Sequence, residues 1–391
     1  MRRFALLVAG LALLAGIAAT VSGGGTQAQP RWVITDLGTL GGWGSWPFAI
    51  NEAGQVVGSA DIRAEDPWVG APHAFLWQSG RMTDLGTRRG AKYSRAVAIN
   101  DHGQVAGYSY SGVTELTDEV LNARAFLWAN GKTTDLGTLG GREAIPDDIN
   151  GRAQVVGWSE INLKTGYGHA FRWQSGRMTD PGALGATSSH AYAINEVGLV
   201  VGCSAKSGGN HAFLWQSGRM TDLGTLGGKE SCPSDLNVNG QVVGWSRLRS
   251  GYPSAHAFLW QAGKMRDLGT LPGTNRSEAV ALNARGQVVG VSELDTADAA
   301  KAHAFLWRAG RMSDLGEGKP VAINDRAQIV GTHYVSGNPR ACLWQDGRLI
   351  ILPKLGGNES GTVAINNRGQ IVGWSATKKS GKHAVLWTLK P

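Results

Sequence analysis

Cysteine is scarce: Cys203, Cys232 and Cys342 are the full complement in 391 residues, so the chain can close at most one internal bridge and its fold does not rest on a disulfide framework. Long apolar stretches are missing after the first 28 residues, and so is any Pro-rich, Ser-rich or charge-block linker that would divide the remainder. No HExxH, GxSxG, Walker loop or CxxC pair occurs. No cofactor is therefore expected, and no metal or catalytic residue is assigned from a motif. The net charge of +8 falls to +6 without Arg2 and Arg3, and the basic residues are scattered. No basic run interleaved with aromatics appears, so nucleic acid is not an expected partner.

What is present begins with residues 1–28. Arg2 and Arg3, an apolar run from Phe4 to Val21 and a small-residue stretch ending at Thr26-Gln27-Ala28 read as a secretory signal cleaved after about Ala28. An uncleaved anchor is the competing reading, because 18 apolar residues are just enough to span a membrane. The small residues that follow at once, without a stop-transfer charge cluster, favour cleavage and a mature chain with no transmembrane span. The expected location is secreted, periplasmic or cell-surface.

Residues 29–391 repeat one unit eight times: a stretch like HAFLWQSGRMTDLGTLGG, a gap, then AxAINxxGQVVGxS. Its Trp recurs at Trp77, Trp128, Trp173, Trp215, Trp260, Trp307, Trp344 and Trp387. A period of roughly 40 to 45 residues with four strand-like runs is that of a propeller blade. Around Trp215 those runs are Ala191–Asn195, Leu199–Ser204, His211–Gln216 and Met220–Leu223, with tight turns at Asn195-Glu196-Val197-Gly198 and Ser217-Gly218. Apolar residues on both strand faces require burial on both sides. The first fourth-strand sequence, Trp32 to Leu37, has no preceding three, and the last unit ends after its third strand, His383 to Trp387. The expected fold is all-β: a single eight-bladed β-propeller of four-stranded antiparallel blades, closed by the N-terminal strand joining the last blade.

The strings HAFLW, TDLGTLGG and AINxxGQVVG closely resemble the HAF repeat family, a probable extracellular repeat, over Arg31 to Pro391. The resemblance implies an exported or surface-associated protein and brings no catalytic residue with it. Two units depart from the pattern: Arg124 and Arg340 replace His, and Ile351 replaces the Asp of TDLG.

Residues that recur are expected to build blades. The His that opens strand three (His73, His169, His211, His256, His303, His383) and the Asp of strand four (Asp36, Asp84, Asp135, Asp180, Asp222, Asp267, Asp314) form an intra-blade hydrogen-bond network on this reading, against serial catalytic or metal sites. Asn51, Asn100, Asn150, Asn195, Asn237, Asn283, Asn324 and Asn366 close an Asx-type turn. Carboxylates do not recur beside them at a calcium-ligand spacing. The Gly-rich links such as Thr39–Gly42 are chain turns, not phosphate cradles. Trp158, Trp245 and Trp374 are expected to pack.

Function is sought where the units differ. The one–two and three–four turns share a uniform face ringed by Arg81, Lys132, Arg177, Arg219, Lys264, Arg311 and Arg348; these cations keep edges apart and the protein soluble, or adhere to an anionic envelope. The two–three loops and inter-blade links share the other, variable face. Trp43, Trp46, Trp68, Tyr110, Tyr167, Tyr252 and Tyr334 there are candidate ligand contacts, with His190 and the acids Asp61, Glu65, Asp66, Glu115, Asp118, Glu119, Glu293, Asp295 and Asp298 nearby in sequence. Cys203 and Cys232 both reach that face, Cys232 in the link leaving the fourth blade, and are expected to pair in an oxidising compartment; Cys342, at the Phe position of HAFLW, is expected to be buried. The expected activity is non-enzymatic binding or scaffolding of a glycan, an envelope component or a protein. The alternative is a polysaccharide-active hydrolase or lyase, which needs two carboxylates, or a His and a carboxylate, converging at the central opening.

Overall fold

A computed structural model describes residues 31–62, 71–113, 120–185, 187–249, 255–294, 302–379 and 381–390. The signal at 1–28, and the candidate contacts Trp68 and Tyr252, lie outside them, as do Glu65, Asp66, Glu115, Asp118, Glu119, Asp295 and Asp298. Among the described residues the chain forms eight four-stranded antiparallel sheets and a two-stranded hairpin, Gly112–Val113 with Val120–Leu121, on the two–three connection of blade 2. Blade 1 is Gly41–Ile50, Val56–Ile62, Pro72–Gln78 and Arg81–Gly86, and the others repeat its order. The eighth takes Ser360–Ile365, Ile371–Ala376 and Lys382–Lys390 from the end of the chain and Arg31–Asp36 from the beginning. That last strand pairs over its whole length, from Arg31 opposite Lys390 to Asp36 opposite Val385.

The core lies in the seams. Val243, Ala257 and Leu259 of blade 5 pack on Ala279, Leu282, Val288, Phe305 and Trp307 of blade 6, with Leu268 and Leu271 of the link between. Each blade thus needs a neighbour on both faces, as the double-sided strands require. The Phe of HAFLW is fully buried in Phe75, Phe171, Phe213, Phe258 and Phe305; burying one such ring is worth roughly 1.5–3 kcal/mol.

Strand one is innermost, and the first strands of adjacent blades touch around the axis. In every blade its pairing with strand two slips by one residue, leaving Phe48, Val97, Asp147, Tyr192, Ser234, Val280, Val321 and Val363 unpaired. These bulges bend the strand and explain the invariant Gly of QVVG. A Cβ on Gly58, Gly107 or Gly202 would land on the carbonyl oxygen of Trp46, Arg95 or His190 just before the bulge.

The turn after strand one closes the ring a second time. Asn51 Nδ2 donates to the carbonyl of Asn100 at 3.0 Å, Asn100 to Asn150, Asn150 to Asn195 and so on through Asn366, which donates to Asn51 at 3.0 Å. Each Oδ1 accepts the backbone N–H four residues on, as Asn51 does from Gln55. The local Asx bond expected from sequence is there, and a ring of inter-blade bonds is added to it.

Candidate functional site

The recurring polar residues hold the blades together. His73 Nδ1 lies 2.9 Å from Asp84 Oδ2, and His169, His211, His256, His303 and His383 pair likewise with Asp180, Asp222, Asp267, Asp314 and Asp36. Partial burial opposes the charge on Asp36, Asp84 and Asp267, but the His and a Gly N–H two residues on outweigh it and hold these carboxyls below the usual range. In blade 2 Arg124 replaces the His and reaches Asp135 at 3.2 Å. In blade 7, with Ile351 in place of the acid, Arg340 turns to the Leu352 carbonyl.

Buried serines join one blade to the next, a role the sequence reading did not assign. Ser231 of blade 5 donates to the Gly224 carbonyl in the link at 2.6 Å and accepts from the Ala212 N–H of blade 4 at 3.0 Å. Ser45, Ser94, Ser189 and Ser277 do the same at their seams. Recurrence six residues before the ring Asn was the available signal.

On the variable face the candidate aromatics separate. Trp43 is 51% exposed and Trp46 40% exposed, on the first strand of blade 1. Trp46 sits 5.4 Å from the ring of Trp374 in blade 8, tilted by 57°. Lys382 Nζ lies 4.5 Å from the centre of the Trp374 ring and 2.9 Å from Glu359. Exposed Phe48 follows Trp46 two positions on. Asp61 Oδ2 accepts the Gly44 N–H at 3.1 Å, and burial, which that bond opposes, raises its pKa. Trp46 and Trp374 thus meet as an aromatic ledge at the seam of blades 8 and 1, and exposed Trp43 precedes Trp46 by three residues on the same strand.

Tyr167, 47% exposed, stands on blade 3 and Tyr334, partly exposed, on blade 7, away from that ledge. Tyr110 is not a surface contact: it ends strand Val105–Tyr110, is 2% exposed, and packs on Tyr93 and Tyr108 at ring distances of 5.2 and 5.6 Å. The sequence placed it in the loop because the strand runs further there than the motif's end implied. Glu293 is held by Arg276 at 3.6 Å.

Cys203 and Cys232 are joined by a disulfide, Cα to Cα 5.5 Å. Cys232 belongs to the first strand of blade 5, Gly227–Leu236, rather than to the link before it, so the bond crosses a seam. Cys342 is buried, and burial raises its thiol pKa.

The central channel holds a second polar group, and of it the sequence reading had singled out His190 alone. The innermost strand of blade 3 carries Asp147 and Asp148 where the repeat has Val and Ala, and that of blade 5 carries Asp235. His190 Nε2 of blade 4 lies 2.7 Å from Asp147 Oδ2, and the Tyr192 ring is 4.8 Å from the imidazole. Asp148 accepts the N–H groups of Ile149 and Ile194 at 2.8 and 2.9 Å; Asp235 accepts those of Leu236 and Leu282 at 2.8 and 3.0 Å. Both are largely enclosed by protein on the innermost strands. Burial pushes Asp148 up to about 7 against its two hydrogen bonds, with Asp235 and Asp147 adding to the rise, and burial pushes Asp235 up to about 7 as well. Burial raises Asp147 too, against the pull of His190. Asp148 and Asp235 are able to hold and exchange protons near neutral pH.

No protein-family model and no curated protein matches the chain. Among solved structures it is similar to the β-propeller domain of the Trilobed protease from Pyrococcus furiosus, at 11% identity over 77% of this chain and 95% of that one, TM-score 0.49. It is also similar to Pyrococcus horikoshii acylaminoacyl peptidase, at 8% identity over 89% of this chain and 53% of that one, TM-score 0.49. A third likeness is to TolB from Acinetobacter baumannii, at 10% identity over 75% and 62% of the two chains, TM-score 0.41. The chain spans about half the length of the peptidase. Likenesses this distant carry no information on activity, and no family model bears out the resemblance to HAF repeats. The chain is an eight-bladed β-propeller by its own strand pairing.

Proposed function

We propose that this propeller is an exported binding module that engages an extracellular or envelope glycan through its variable face. The ledge of Trp46 and Trp374, with exposed Trp43 on the same strand, carries the reading. An exposed indole offers a flat apolar face to the C–H side of a pyranose ring, while Asp61, Glu359 and Lys382 at the same seam offer hydrogen bonds to its hydroxyls. The fold has no internal need to expose two tryptophans there. A disulfide between blades 4 and 5 suits an oxidising compartment, in keeping with the N-terminal signal read from the sequence. A glycan array and an envelope-fraction pull-down test this. Trp43→Ala with Trp46→Ala is expected to lower affinity for any captured glycan by roughly 10-fold, taking about 0.5–1.5 kcal/mol for each stacking ring. Undiminished capture by that variant rules the ledge out.

A second reading is favoured by the Asp147–His190 contact in the channel. A histidine oriented by a carboxylate, with carboxyls titrating near neutral pH in the same lumen, has the composition of an acid–base site. Release of reducing ends from polysaccharides by the parent protein, reduced roughly 100-fold or more in Asp147→Asn and His190→Ala, distinguishes an enzyme from a binding module.

A further inference from the structure

Two blades begin with a longer first strand than the rest: Gly41–Ile50 in blade 1 and Gly227–Leu236 in blade 5, ten residues each. Matching bridges, Leu40 with Ile62 and Leu226 with Leu248, pin their starts. Blades four apart in a ring of eight stand opposite each other across the channel mouth. Register equates Trp43 with Lys229 and Trp46 with Cys232. At the first of these positions blade 1 presents an indole where blade 5 presents a cation; at the second, Cys232 is held in the disulfide.

At the seam of blades 4 and 5 a cavity of about 430 Å³ opens between Gly208, Gly228, Lys229, Glu230, Arg247 and Arg249. Arg247 Nε lies 3.2 Å from Glu230 Oε2, and its guanidinium stands 5.7 Å above the Trp245 ring. That pair is neutral as a whole. Exposed Lys229 and Arg249 leave the pocket with an excess of positive charge. The chain lies this close because residue 228 is glycine: a Cβ there would come within 2.5 Å of the Arg247 Cβ.

We infer that the ligand of the variable face is an acidic polysaccharide, its pyranose rings stacking on Trp43 and Trp46 and its carboxylates seated against Lys229 and Arg249 on the opposite side of the mouth. The inference rests on the binding reading above and adds the charge of the ligand to it. A neutral polymer gains at the ledge alone. A uronate polymer gains at both, because a carboxylate meets a guanidinium and an ammonium within reach of unscreened attraction, about 8 Å at physiological salt. Oligonucleotides also combine rings with anions, and they enter as a competing outcome.

The test is calorimetric titration of the purified protein with polygalacturonate, alginate and hyaluronate, each beside its carboxyl-reduced neutral form, and with an oligothymidylate, at about 0.05 and 0.3 M salt. At least one uronate polymer is expected to bind more tightly than its reduced form. Lys229→Ala with Arg249→Ala is expected to weaken that polymer roughly 3- to 10-fold at low salt and flatten its salt dependence, leaving the reduced form unchanged. Trp43→Ala with Trp46→Ala is expected to weaken both forms. All four side chains are exposed or half-exposed, and matched melting curves verify folding. Equal binding of charged and reduced forms, or indifference to the cation substitutions, overturns the acidic ligand and leaves the binding reading standing. Failure of every polymer to bind overturns both, and tighter binding of oligothymidylate overturns the choice of polysaccharide.

Discussion

Each residue of a tandem repeat can be compared with seven counterparts, and the departures carry the information. Two positions before the ring asparagine, six blades have Ala, while blades 3 and 5 have Asp148 and Asp235. A carboxyl replacing a methyl at an inter-blade wall is costly when charged, which is why both stay protonated to about pH 7. Unfolded, each ionises near pH 3.9. The folded state therefore holds more protons between about pH 4 and 7, and stability falls as pH rises through that window, by a few kcal/mol in total. The His-paired Asp36, Asp84 and Asp267 act in the opposite sense and below it, losing their contribution as pH drops under about 4. The melting temperature of the parent is thus expected to be several degrees higher at pH 5 than at pH 8, and Asp148→Asn with Asp235→Asn to remove much of that difference. Equal slopes in parent and variant would show that the two carboxyls do not titrate as described. The His–Asp pairing inside blades was legible from recurrence alone. Asp147, Asp148 and Asp235 were not picked out because the strings PDDIN and PSDLN were read as copies of AxAIN rather than as exceptions to it.

At the scale of elements, stability concentrates where one blade meets the next. Asn195 donates to Asn237 across the seam and accepts the N–H groups of Val197 and Leu199 at 3.2 and 2.9 Å. Asn195→Ala leaves the buried Asn237 carbonyl and the two turn N–H groups without this partner and is expected to cost about 1–3 kcal/mol in urea unfolding. Asn195→Asp keeps the acceptor but turns a negative charge toward the Asn237 carbonyl, so it is expected to do no better; full rescue by Asp would mean that the turn alone matters. The turn was readable from sequence, whereas the donor's destination 42 residues away required the ring. The disulfide spans a sequence separation of 29, and in the chain-entropy account a loop of that size is worth about 3–4 kcal/mol. Cys203→Ser with Cys232→Ser is expected to lower the melting temperature in oxidising buffer, and the parent to match the variant once reduced. A parent indifferent to reductant contradicts the link. Spacing placed both cysteines on one face, but it did not reveal that Cys232 opens the next blade.

For the molecule as a whole, everything depends on closure, and closure was the feature most open to reading: a fourth strand without its three at one end, three without a fourth at the other. What repetition hid was which seams would differ, since the aromatic and cationic seams arise from single residues on two lengthened strands and on the strands beside them. Closure is made twice, by Asn366 bonding Asn51 on one face and by Arg31–Asp36 pairing with Lys382–Lys390 at the rim. Removing residues 31–37 deletes the outer strand of blade 8, the His383–Asp36 pair and the buried Leu37, and bares the backbone edge of the strand that carries fully buried Trp387. An unpaired edge of nine residues is a template for another chain. The shortened protein is expected to melt at a lower temperature and to self-associate in sedimentation, and a peptide of sequence RWVITDL, added in excess, to restore both properties by mass action on the vacant edge. Removal of Asn51's partner through Asn366→Ala, by contrast, leaves the rim strand paired and is expected to lower stability without association. If the truncated chain instead stays monomeric and melts as the parent does, the ring is held by its seams alone and the terminal strand is an ornament to them.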